Sequence, residues 1–263
     1  MDQDYWQKQT VDKPLFPDMQ WSRPENKLYA GKMLIIGGNA HGFAAANEAY
    51  IQASKAGIGV ARMLLPDSLH KLLGRGFAAG EFAPSTPSGS FSQRALAEAL
   101  AMANWADGVL IAGDLGRNSE TAILLEKFIS KYTGQLTITK DAADYCLTSP
   151  AGCIDRPDTT LVISMAQLQK LGIQSKFRPA FMFDMDIIRL VAALHEFTIQ
   201  HPVNIVVKHF DTIFVAVEGK VSSTKRPVDE TIWRVKTAAS ASTWWIQNPS
   251  KIYEALTTSA LAD

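Results

Sequence analysis

A chain of 263 residues, 47% of them hydrophobic, can bury one sizeable core, and no low-complexity stretch marks a seam, so a single domain over residues 1–263 is expected. Its 26 basic residues balance 26 acidic ones, which leaves no electrostatic footprint for nucleic acid or a membrane surface. No apolar run reaches the roughly 18 residues of a membrane helix, and the expected setting is cytoplasmic.

Residues 1–25 mix Asp2, Asp4, Asp12 and Asp18 with prolines and lack the apolar stretch of a signal peptide. They read as an extended N-terminal segment. Met33-Leu-Ile-Ile36 is a strand ending in Gly37-Gly38, and the alanine-rich stretch to Lys55 is a helix. Val60 to Leu65 is the next strand, closed by Pro66. Residues 74–92, rich in Gly, Ser and Pro, read as a loop that is either mobile or functional. Arg94 to Trp105 reads as a helix and Gly108 to Ala112 as a buried strand. Asn118 caps a helix through Tyr132 whose apolar face is Leu124, Leu125, Phe128, Ile129 and Tyr132. Further strands are expected at Leu136–Thr139, Thr160–Ser164 and Asn204–Lys208, with a helix over Asp186–Ile199. His195, in mid-helix, reads as a packing residue. Cys146 and Cys153 are too few for a disulfide framework and have no zinc-site spacing, so they read as ordinary thiols, with a local disulfide as the lesser alternative. Thr212–Val217 and Lys220–Thr224 flank Glu218-Gly219 as a hairpin. Closing helices are expected around Thr243–Gln247 and Ile252–Leu261. Apolar runs alternating with helical periods imply an α/β fold with a mainly parallel sheet, whose ligands bind at the carboxyl ends of the strands.

Three stretches at those strand ends carry a resemblance. Asn26-Lys-Leu-Tyr-Ala-Gly31 leads into Lys32-Met-Leu-Ile-Ile-Gly-Gly-Asn39, and Ala56-Gly-Ile-Gly59 follows. Ile111-Ala-Gly-Asp-Leu-Gly-Arg-Asn118 places a glycine turn before a helix, an arrangement whose free amides and helix dipole attract anions. Val206-Val-Lys-His-Phe-Asp-Thr212 offers a lysine and a hydroxyl to a phosphate. Together they resemble the ribokinase-like superfamily, most closely its ATP- or ADP-dependent NAD(P)H-hydrate dehydratases.

The resemblance implies a ribokinase-like α/β fold with helices on both sheet faces. It also implies an adenine nucleotide with Mg2+, NAD(P)H hydrate as substrate, and a homo-oligomer, in that family a tetramer. It places Asn39, His41, Ala45, Gly116, Arg117, Lys208, Thr212 and Ala241 at the nucleotide and substrate pocket. Five departures stand against catalysis. Thr139-Lys-Asp-Ala-Ala-Asp144 only loosely echoes the family's Leu-Asp-Ala-Asp-Ala, with Lys140 in place of an acid. Asp114 replaces a family glycine and either caps a helix or binds a cation. His209 replaces another glycine, and Leu161–Gln167 lacks the family's histidine and glutamate. The family's Gly-Thr-Gly-Asp turn corresponds to Thr237-Ala-Ala-Ser-Ala-Ser242, with Ser242 at the position of the catalytic aspartate. An unactivated hydroxyl cannot act as the base. Asp229 and Glu230, upstream of this turn, and Asp211, beside Lys208, are the alternative carboxylates for a rearranged site, Asp229 being the candidate catalytic residue among them. The expectation is a nucleotide-binding protein with weak or lost turnover; a working dehydratase or small-molecule kinase with a rearranged site, and a partner-binding protein, are the other readings.

Overall fold

The computed structural model describes residues 4–74, 79–225 and 233–261. Among them, ten strands form one sheet: β1 Trp6–Gln9, β2 Lys32–Gly37, β3 Val60–Pro66, β4 Gly80–Ala83, β5 Gly108–Gly113, β6 Gln135–Thr139, β7 Thr159–Ser164, β8 Asn204–His209, β9 Thr212–Val217 and β10 Lys220–Lys225. The order across the sheet is β1-β10-β9-β8-β7-β6-β5-β2-β3-β4. Only the β8–β9 and β9–β10 pairings are antiparallel, each made by a two-residue turn, Phe210-Asp211 and Glu218-Gly219.

The helices are α1 Pro17–Trp21, α2 Ala44–Lys55, α3 His70–Leu73, α4 Leu96–Trp105, α5 Ser119–Lys131, α6 Lys140–Cys146, α7 Ala151–Ile154, α8 Met165–Gln174, α9 Ile187–Gln200, α10 Trp233–Gln247 and α11 Ile252–Ser259. Successive strand residues point to opposite faces, so each central strand feeds two cores. Leu34, Ile36, Val109 and Ile111 pack with residues of α4, α5, α8 and α9. Met33, Ile35, Leu110 and Ala112 pack with α2, α10 and α11 on the other face. The continuous apolar character of β2 and β5 follows from this burial on both sides.

The glycines of the first resembling stretch have a steric reason. The Gly59 and Val60 amides donate to the carbonyls of Ala30 (3.1 Å) and Gly31 (3.0 Å), and a side chain at Gly59 would collide with the carbonyls of Lys27 and Gly31. Two backbone segments therefore touch where only glycine fits.

Four expectations are corrected. Residues 6–9 and 17–21 of the supposedly extended segment are β1 and α1, and β1 pairs in parallel with β10, Trp6 opposite Val221. Gln9 anchors it, donating from Nε2 to Thr224 Oγ1 at 2.8 Å and to the Thr257 carbonyl at 2.6 Å. Residues 80–83 of the expected loop form β4 on the edge of β3; residues 75–78 lie outside the described residues. Cys146 and Cys153 are joined in a disulfide with Cα atoms 6.0 Å apart, because the short connection between α6 and α7 brings the end of one to the other within seven residues of chain. The stretch expected as a turn at 237–242 is the interior of α10. His195 is a packing residue as expected, stacked on Tyr5 with ring centroids 3.7 Å apart.

Candidate active site

The carboxyl ends of β2, β5, β6, β7 and β8 form one edge, where Asn39, Asp114, Lys140, Ser164 and Lys208 follow each other from strand to strand. Two cavities open along it. One, of about 410 Å³, is lined by Ala44, Ala45, Glu48, Lys140 and Arg234 among others. The second, of about 820 Å³, is lined by Asn39, Gly116, Arg117, Asp141, Asp144 and Tyr145 among others.

Asp114 and Lys140 separate them. Each follows the end of its strand in a left-handed backbone conformation, φ 57° and 56°, which costs a non-glycine residue roughly 1–2 kcal/mol. Lys140 Nζ lies 2.5 Å from Asp114 Oδ1, and Asp114 Oδ2 accepts the Ala45 amide at 2.7 Å. Asp114, expected to cap the helix that its own turn feeds or to bind a cation, instead accepts an amide at the start of α2, and α5 is capped by Asn118, whose Oδ1 accepts the Glu120 amide at 2.8 Å. Asp141 completes the arrangement: its two carboxylate oxygens accept the amides of Asp114 (2.7 Å) and Leu115 (2.9 Å). Successive amides in such a turn form an anion-binding nest, and here the protein's own carboxylate fills it.

Around this centre the contacts are also internal. Asn39 Nδ2 donates to the Asp114 carbonyl at 2.6 Å, and Asn39 Oδ1 accepts the His41 amide at 2.7 Å. Tyr145 donates its hydroxyl to the Gly116 carbonyl and accepts the Asn118 amide at 3.3 Å. Burial first, and then the charge of Asp141, push the Tyr145 phenol above the ordinary tyrosine range, so it remains a donor at neutral pH.

Gln167 is the organising residue that sequence reasoning missed. It closes a capping box with Ser164 at the start of α8, donates from Nε2 to the Lys140 carbonyl (2.7 Å) and Asp144 Oδ1 (3.1 Å), and accepts Arg234 Nη1 at 3.0 Å. The Ser-x-x-Gln spacing at 164–167 was the available signal.

Of the residues singled out from sequence, Ala45 lines the smaller cavity, and Asn39, Gly116 and Arg117 line the larger. His41 is exposed and lines neither. Lys208 is half-buried at the same edge, opposite Ser164 in the β7–β8 register. Thr212 is buried and donates to Asp211 Oδ1 at 3.1 Å. Ala241 and Ser242 are buried within α10, Ser242 only 2% exposed, far along a helix already formed at Trp233. Asp229 and Glu230 lie outside the described residues.

No family model matches the chain, and no curated protein matches it in sequence. Solved structures do match in shape. A ribokinase-like superfamily protein from Enterococcus faecalis V583 has a TM-score of 0.72 at 14% identity, covering 100% of this chain and 88% of its own. The fold is ribokinase-like. The same fold appears in an ADP/ATP-dependent NAD(P)H-hydrate dehydratase from Bacillus subtilis, co-crystallised with ATP and Mg2+, at a TM-score of 0.61 and 9% identity over 94% of this chain and 86% of that one. A phosphomethylpyrimidine kinase from Clostridium difficile 630 has a TM-score of 0.55 at 10% identity, over 87% and 96% of the two chains. No helix among the described residues is long and apolar enough to cross a membrane.

Proposed function

We propose that this protein is a divergent kinase- or NAD(P)H-hydrate dehydratase-like protein that binds an adenine nucleotide or a related small molecule along the carboxyl edge, with weak or lost phosphoryl transfer. One observation carries the reading: the nest of Asp114 and Leu115 amides is filled by Asp141, and the start of α2 is capped by Asp114. Phosphoryl transfer is accelerated chiefly by amides and cations aimed at developing charge. Amides already bound to carboxylates are not available for that, and Lys140 is committed to Asp114.

The same carboxylates do not suit a magnesium ion. All four oxygens of Asp114 and Asp141 accept bonds from amides or the Lys140 ammonium. No cluster of three metal-ligating side chains occurs among the described residues. A magnesium ion arriving with a nucleotide would rest on phosphates and water.

One observation favours a working enzyme instead. The smaller cavity keeps the cationic side chains of Lys140 and Arg234 on its wall, and in this reading Asp229, a carboxylate a few residues before Trp233 in the sequence, would supply the base. Isothermal titration with ATP and ADP plus Mg2+, followed by an NADPH-hydrate turnover assay, separates the readings. Binding without product supports the proposal. Product that disappears in Asp229→Asn supports the rearranged site, and silence in both assays overturns both readings.

A further inference from the structure

The Cys146–Cys153 disulfide stands one residue from the side chain that holds the candidate site's turn. Cys146 is the last residue of α6 and Cys153 belongs to the four-residue α7. A single helical turn has little stability of its own; α7 packs on α5, and its tie to α6 is this bond and the short connection between them. Both cysteines are buried, yet both line a cavity of about 240 Å³ between α5 and the α6–α7 turn. Tyr145 and Thr148 line that cavity and the larger site cavity as well. Tyr145 is thus a shared wall, and its hydroxyl bonds Gly116 and Asn118, the residues that open α5.

We propose that Cys146 and Cys153 form a dithiol–disulfide switch that acts through Tyr145 on the Gly116–Asn118 turn of the candidate site. The effector is a small dithiol. Its thiolate, entering the cysteine-lined cavity, attacks one Sγ, and the S–S bond breaks with its electron pair passing to the other sulfur. The second thiol of the reductant then resolves the mixed disulfide. The protein gains two electrons and two protons, leaving two thiols, and the dithiol is oxidised to its cyclic disulfide. Without the crosslink, the last turn of α6 is released from α7, which stays on α5, and Tyr145 moves with that turn. The Asn118 amide then loses its acceptor and the wall of the site cavity loosens. The switch requires no particular ligand, so it stands or falls independently of nucleotide binding.

Hydrogen exchange read by mass spectrometry, on protein equilibrated with oxidised or reduced dithiothreitol, tests this, with alkylation counting the free thiols in each sample. Reduction should accelerate exchange in residues 114–121 and 143–154 by about tenfold or more, with β2 and β8 unchanged. Tyr145→Phe with the disulfide intact should reproduce the effect in 114–121 but not in 147–154. Three results overturn the switch. These are two free thiols in the oxidised sample, unchanged exchange in 114–121 once both thiols are free, and an equal rise across β2 and β8, which would mean that the bond serves overall stability only.

Discussion

Lys140 and Asp114 face each other at 2.5 Å from neighbouring strand ends, each in a left-handed backbone conformation. Two strained residues are therefore joined by the contact that separates the two cavities. Backbone strain of this kind persists where surrounding bonds over-determine it, here the Ala45 amide on Asp114 and the Gln167 side chain on the Lys140 carbonyl.

Asp114→Gly should change stability little and ligand binding more. The loss of a partly exposed ion pair and a helix cap costs about 1–2 kcal/mol, and glycine removes about 1 kcal/mol or more of left-handed strain. The net change in urea unfolding should stay within about 1 kcal/mol. Titration calorimetry with ADP should show affinity rising several-fold as a carboxylate leaves the anion-facing edge. A fall in affinity would place Asp114 among the favourable ligand contacts.

Gln167→Leu should cost about 2–4 kcal/mol. The near-isosteric change fills the space but removes the capping box and leaves the Lys140 carbonyl and the Arg234 guanidinium without their partner. The drop is expected in the urea midpoint with the slope retained, and Gln167→Glu should recover part of it by keeping an acceptor for Arg234.

Ser242→Asp should not create a catalyst. The side chain lies within α10, which packs against α2, α11 and strands β5 to β7, and an unpaired carboxylate there should destabilise the fold by about 3 kcal/mol or more. A stable, active Ser242→Asp protein would return the site to residues 237–242.

Stability should fall in alkali between pH 10 and 12. Burial raises both Tyr132 and Tyr253 to about 12, against an ordinary value near 10. The Arg156 charge opposes this at Tyr132, and a hydrogen bond with Ser222 opposes it at Tyr253. Across that window the unfolded chain has released protons that the folded chain keeps, so the contribution of each phenol is complete below pH 10 and is lost on rising through 12. Melting temperature measured from pH 8 to 12 should show the decline, and Tyr132→Phe should make it shallower. The Tyr132 hydroxyl makes only a long 3.4 Å bond to the Gln135 carbonyl, so that variant should remain folded at neutral pH.

The central strands were legible because each feeds two apolar cores and so reads as an unbroken run, and α5 because Asn118 caps a well-formed apolar stripe. Strand β1 was hidden because Trp6–Gln9 is mostly polar and half-exposed, held by side-chain hydrogen bonds rather than by burial of an apolar face. The extent of α10 was obscured by the superfamily resemblance itself, which set a turn at 237–242. Local chemistry argued otherwise, since no glycine or proline interrupts Trp233–Gln247 and alanine favours helix most of all. Beyond the capping spacing at 164–167, the roles of Asp141 and Gln167 were out of reach because only the tertiary fold brings them to the Asp114 and Leu115 amides, the Lys140 carbonyl and Arg234. The disulfide spans only seven residues and was passed over because two cysteines make no framework.

The parallel pairing of β1 with β10 also bears on the order of assembly. Residues 6–9 find their partners at 221–224, so this strand is synthesised well before its partner and has no place in the sheet until the Thr212–Lys225 hairpin exists. During synthesis the central strands can already associate while this segment waits. Its docking should then be a late event that replaces the longer open edge of β10 with a short, mostly polar edge strand less suited to pairing with a neighbouring molecule.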